Sequence, residues 1–130
     1  NVNATIGLVQ MKYIDSVIAR HKENGRYFDE NLNGIAGVTL LPYYAHTEPS
    51  YWLYTMKVEN RPDFIKMMAE NGIMASELHL RNDRHSIFSE SKCELPALDE
   101  FYSTFVHIPC GWWLTGEERE KIVDLIKKGW

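Results

Sequence analysis

Between Leu78 and Phe88 the chain carries His79, Arg81, Asn82, Asp83, Arg84, His85 and Ser86, with apolar residues on both sides. Guanidinium and imidazole groups at that density make an array of hydrogen-bond donors suited to phosphate, carboxylate or polyhydroxylated ligands. A solvated loop is the plainer reading of the same composition. Other chemistries are poorly supported. His79, Asp83 and His85 are zinc-binding types, but the two histidines fall in an expected loop rather than on one helical face, and no H-E-x-x-H occurs, so no metal site is expected. His21 and His107 read as satisfied or exposed histidines, one on a helix and one in a strand. Cys110 lies near His107 without an identifiable base beside it and reads as structural. No G-x-S-x-G, Walker loop or G-x-G-x-x-G is present. Trp112, Trp113, Trp52 and Tyr51 are most simply core or interface aromatics.

The frame that must hold this stretch is small. The 130 residues, 45% of them hydrophobic, suit one soluble globular domain. A net charge of -4 without a basic block argues against nucleic acid or an anionic membrane as partner. No apolar run approaches the roughly 20 residues that span a bilayer, and no secretory signal pattern appears, which makes the cytoplasm the expected location. Cys93 and Cys110 form no C-x-x-C pair and read as two reduced thiols. The chain opens without Met directly into a helical pattern, as if cut from something longer. Its end, two lysines followed by Gly129, reads as a natural helix stop.

Ile6, Val9, Tyr13, Val17, Phe28 and Leu32 keep helical spacing, which predicts one long helix from an Asn1 or Asn3 cap to Gly34, about 28 residues or roughly 42 Å. Gly25 should cost it about 1 kcal/mol. Val38–Leu41 reads as an edge strand and Tyr51–Glu59 as the central one. Pro62 opens a helix that Gly72 ends, and Ile73–Leu78 reads as a further strand. Strand, helix and strand in that order predict a right-handed crossover joining two parallel neighbours. Residues Leu80 to Asp99 read as irregular, Phe105–Pro109 as a short strand, and Thr115 with Glu118 as the capping box of a last helix buried through Ile122, Val123 and Ile126. The expected class is α+β: a long N-terminal helix and a small mixed sheet with helices packed on it.

Asn3-Ala4-Thr5-Ile6-Gly7-Leu8-Val9-Gln10-Met11, the strand Tyr51-Trp52-Leu53-Tyr54, Gly72-Ile73 before the polar loop, and Ile108-Pro109-Cys110 before a Leu-Thr-x-x-Glu helix start occur in that order. The series closely resembles the C-terminal portion of the DegT/DnrJ/StrS nucleotide-sugar aminotransferases, from Asn3 to Trp130. The resemblance implies the small domain of a fold-type I pyridoxal phosphate enzyme, a homodimer acting on a nucleotide-linked keto-sugar and an amino donor. The family's cofactor-binding lysine precedes the position that Asn1 matches, and none of the lysines here takes its place. The chain alone is therefore expected to hold no pyridoxal phosphate and to be inactive.

In relatives the turn after the Gly-Ile strand reaches the active site and often begins with a His, which His79 matches. The resemblance thus makes His79, Arg81, Asn82, Asp83 and His85 the expected substrate-binding residues, with Arg81 the phosphate or hydroxyl donor. It places Asn1 and Asn3 near the cofactor or the partner subunit. Where many members carry His-x-x-Pro-Leu-His, this chain has His-x-Arg-Asn-Asp-x-His-Ser, which leaves the sugar open. A free-standing sugar- or nucleotide-binding module, a dimerisation scaffold, and the small domain of a related pyridoxal phosphate-dependent sugar dehydratase remain as alternatives.

Overall fold

The computed structural model describes residues 1–130. Helices α1 (Val2–Gln10) and α2 (Ile14–Leu32) lead into strands β1 (Val38–Leu40) and β2 (Tyr54–Val58), then α3 (Arg61–Glu70). Short 3-10 turns at Asn82–Arg84 and Ser86–Ser91 precede α4 (Pro96–Thr104), β3 (Phe105–Ile108) and α5 (Gly116–Lys128). The α+β class holds, with β1-β2-β3 as the sheet order and β2 central.

The single long helix does not form. The chain tightens through i→i−3 bonds from Lys12 N–H to Val9 O (3.3 Å) and from Tyr13 N–H to Gln10 O (2.9 Å), and α2 starts afresh. Neither Gly nor Pro marks the break, so residue spacing could not reveal it. No residue of α1 is buried: Val2, Ile6, Leu8 and Val9 are all exposed, although the segment carries no charge. Its apolar side has no partner within this chain.

The sheet is wholly antiparallel rather than mixed. Val38 pairs with Val58, Leu40 with Met56, Tyr54 with Ile108 and Met56 with Val106. The predicted Ile73–Leu78 strand is reduced to one bridge, Ser76 to His107, made by Ser76 N–H to His107 O (3.2 Å) and His107 N–H to Ser76 O (2.8 Å). Two antiparallel steps leave this segment running in the direction of β2, but β3 lies between them, so the expected parallel neighbours never touch. The physical reason is burial. Only Ala75 in the segment is buried, while Met74 and Leu78 are exposed, so it has no apolar face to lay on a sheet.

One side of the sheet carries the main core. Met56, Val58, Val106 and Ile108 pack with Phe28 and Leu32 of α2, Phe64 and Met68 of α3, and Ile122 and Ile126 of α5. The capping box of α5 is present: Glu118 N–H donates to Thr115 Oγ1 (3.2 Å) and Thr115 N–H to Glu118 Oε2 (2.8 Å). All four residues of β3 are buried, because its opposite face, with Phe105 and His107, is covered as well. Part of that cover is α4, in a region expected to be irregular up to Asp99. Pro96 in its first turn, and Leu98, Phe101 and Tyr102 at helical spacing, account for it.

The predicted Tyr51–Glu59 strand starts three residues late. Tyr51 sits at φ +50, off the extended line, and this turns its ring onto α2 at Gly25, where a Cβ would overlap it. Its hydroxyl donates to Asp29 Oδ2 (2.6 Å), and that of Tyr54 to Asp29 Oδ1 (2.8 Å). Burial first, and the Asp29 carboxylate second, hold both phenols well above the ordinary tyrosine range. Gly25, a helix defect by propensity, is the notch that lets helix and sheet close together.

Candidate functional site

The polar stretch after Leu78 is held by ionic contacts of its own. Arg81 forks onto Asp83 through Nε–H to Oδ1 (2.9 Å) and a terminal N–H to Oδ2 (2.7 Å), and its other terminal nitrogen donates to Asp99 of α4. Its side chain is only 7% exposed. These two carboxylates, Asp83 ahead of Asp99, raise the guanidinium above its ordinary value, and Arg81 holds Asp83 below the usual carboxylate range. The Tyr102 ring lies between cations, 4.7 Å from the guanidinium carbon of Arg84 and 5.8 Å from that of Arg81. Arg61 anchors the junction of α4 and β3, donating to Phe105 O (3.1 Å) and pairing with Glu77 (2.8 Å).

Beneath this loop lies a cavity of about 610 Å³. Its wall is apolar where Leu98, Phe101 and Phe105 face it and polar where His79, Asn82 and His107 do. A second cavity of about 280 Å³ lies on the other side of His79 and His107, bounded by Tyr43, Tyr51 and Trp52. The two imidazoles therefore belong to the wall of both, with ring centroids 5.7 Å apart in an edge-to-face arrangement. His79 is exposed and also lies 6.0 Å from Trp52. His107 is buried; its Nδ1 is 2.9 Å from Thr55 Oγ1, while Nε2 has no partner. Burial foremost, and the neighbouring His79 second, lower the His107 pKa and favour the neutral ring.

Four of the expected substrate residues, His79, Arg81, Asn82 and Asp83, line the larger cavity, whereas His85 is exposed and lines neither. Arg81 spends most of its donors on Asp83 within the loop and on Asp99 of α4, so it is placed to hold the loop more than to meet a ligand. Asn1 caps α1, its Oδ1 accepting from Asn3 N–H (3.2 Å), and both asparagines are exposed at the chain's tip. The expectation that His107 is a satisfied or exposed histidine does not hold, since the ring is buried with Nε2 unpaired. Its alternation with the core-facing Val106 and Ile108 in a short apolar strand was the available signal, since it puts an imidazole on the sheet's other face.

No three His, Cys, Asp or Glu side chains converge as a metal site would require. No lysine lines either histidine-walled cavity. Cys110 is buried, its Sγ 3.7 Å from His21 O, and burial pushes its thiol up to about 12, which makes it a poor nucleophile. Asn24, fully buried, donates to Gly111 O (3.0 Å) and accepts from Arg119 (3.2 Å), tying α2 to the turn before α5. No helix is long and apolar enough to cross a membrane.

Comparison with known proteins gives the arrangement its context. The sugar aminotransferase CalS13 from Micromonospora echinospora is 40% identical over 96% of this chain and 34% of its own, with a TM-score of 0.94. AtS13 from Actinomadura melliaura is 40% identical over 98% of this chain and 34% of its own, with a TM-score of 0.96. The putative sugar aminotransferase Spr1654 from Streptococcus pneumoniae, in its PMP-form, shares the fold at 23% identity and a TM-score of 0.83. The chain thus spans about a third of the length of the structures it matches. The family model of the DegT/DnrJ/EryC1/StrS aminotransferases matches residues 1–127, essentially the whole chain, and agrees in this with the structures. The chain belongs to the DegT/DnrJ/EryC1/StrS aminotransferase family.

Proposed function

We propose that residues 1–130 form one domain, the small C-terminal recognition domain of a cytoplasmic pyridoxal phosphate-dependent aminotransferase. Its substrate is a nucleotide-linked keto-sugar, and the whole enzyme works with an amino donor as a homodimer. The observation that carries the reading is the cavity under the His79 loop. It offers hydrogen-bonding groups from His79 and Asn82 against an apolar wall, at about 610 Å³ it is large enough for a sugar, and it contains no lysine. Such a site can grip and orient a substrate, while imine chemistry must come from elsewhere. The cofactor's lysine is assigned to the part of the protein outside these residues. The uncovered apolar side of α1 supports the same division, because it needs a partner that this chain does not supply.

Within the site, His79 and Asn82 meet the sugar, and Arg81 with Asp83 keeps the loop in place over it. His85 has a lesser part, at the rim, and Asn1 and Asn3 lie at the junction with the cofactor-bearing domain or the partner subunit. The test compares the full-length protein with residues 1–130, each supplied with pyridoxal phosphate and nucleotide keto-sugars. The full-length protein should show bound-cofactor absorbance and transfer an amino group, and the domain alone should do neither. A full-length protein that neither retains the cofactor nor transaminates refutes the reading. A histidine in place of the cofactor lysine, together with dehydration of the sugar, would select a dehydratase instead.

A further inference from the structure

The anomaly in the site is the His107 ring. Its main-chain N–H and C=O are both paired with Ser76, and its Nδ1 faces Thr55 Oγ1 at 2.9 Å, but Nε2 is out of contact with solvent and bonded to nothing. The residue is 9% exposed, with Phe105 packed against it at 5.2 Å between ring centroids. Buried polar atoms in folded proteins are nearly always paired, so an unpaired one beside a cavity calls for a partner from outside the chain.

We infer that the sugar bound beneath the His79 loop places a hydroxyl group on Nε2 of His107, making this strand residue a ligand contact. The inference rests on the recognition role proposed above and adds the group that is read and the residue that reads it. A hydroxyl is the group that fits. If Thr55 donates to Nδ1, then Nε2 carries the proton and donates to the hydroxyl oxygen; if Nδ1 donates to Thr55, then Nε2 accepts the hydroxyl proton. A phosphate could serve only the first case, and the nearest guanidinium, Arg81, is already committed to Asp83 and Asp99. Burial keeps the ring neutral, which again favours an uncharged partner.

Access depends on His79. It packs edge-on against His107 and at a tilt against Trp52, makes no hydrogen bond, and is exposed, so it is free to change rotamer, and that change is the inferred path to Nε2. His79 is then the movable cover and His107 the fixed reader on the sheet behind it.

The experiment uses the full-length, cofactor-loaded protein with UDP-glucose, GDP-glucose and dTDP-glucose as stable, hydroxylated probes. Calorimetry should find at least one that binds. His107→Phe should weaken that probe about 5- to 10-fold, the loss of one neutral hydrogen bond, while His107→Gln, which keeps a donor and an acceptor, should stay within about 2-fold. In the unmodified protein, ring-15N spectra should show the Nε2 signal of His107, identified by its absence from His107→Gln, moving on saturation while Nδ1 stays. This second measurement decides the matter if His107→Phe does not fold. A probe that binds without moving Nε2, or that binds His107→Phe undiminished, overturns the inference and leaves the recognition reading standing. Failure of every probe to bind the unmodified protein overturns both.

Discussion

Arg81 stands out in the sequence for its donors, and in the fold those donors are turned onto Asp83 and Asp99. Its replacement should therefore act through the loop. On the recognition role proposed above, Arg81→Ala in the full-length protein should raise KM for the sugar substrate by about 10-fold and make residues 82–91 cleavable in limited proteolysis, with cofactor absorbance unchanged. Arg81→Lys should not rescue it, because an ammonium cannot fork onto Asp83 while also holding Asp99. His107 yields a prediction of pH dependence. Its folded pKa lies below the unfolded value, so the unfolded chain binds the extra proton first as pH falls below about 6.5. The associated stability is complete above that value and is lost as pH drops towards the folded pKa. Denaturant melts at pH 7.5 and 5.5 should show a loss on the acid side that is smaller in His107→Gln.

At the scale of elements, the notch at Gly25 reverses an expectation. Helix propensity alone says that Gly25→Ala should stabilise α2 by about 1 kcal/mol. The methyl group would instead overlap the Tyr51 ring, so the substitution should destabilise by about 1–3 kcal/mol, read as a lower urea midpoint. Thr115→Ala, which removes the cap of α5, should cost about 1 kcal/mol in the same assay. These two sites mark the boundary of what the residues reveal. The capping box, the edge and central strands and the inner face of α5 were legible, because each depends on local chemistry or a single period. The break after Gln10, the demotion of Ile73–Leu78 and the inward turn of Arg81 were not. The first is a local tightening that neither Gly nor Pro marks, and the other two were decided by what another part of the chain covers or pairs with. The motif marks His79 as a candidate and the fold puts it in a cavity wall, whereas the place of His107 in that wall needed the knowledge of which face of β3 is covered.

At the scale of the whole molecule, α1 stands out as an apolar helix that buries nothing. Residues 1–130 prepared alone should self-associate, and Ile6→Asp with Leu8→Asp should return them to monomer in light scattering. On the domain reading proposed above, the helix meets its partner in the full-length protein, and there the same pair should lower stability or cofactor retention. Equal solubility of the two isolated forms would show that α1 carries no such requirement.

The two thiols differ in a way that gives a practical handle. Cys93 is exposed, between the turn ending at Ser91 in the cavity wall and the start of α4, whereas Cys110 is sealed in the core with a thiol raised to about 12. In these residues a maleimide dye should therefore attach at one place only, with no cysteine engineering, and sit beside the mouth of the pocket. Its emission would report occupancy in real time.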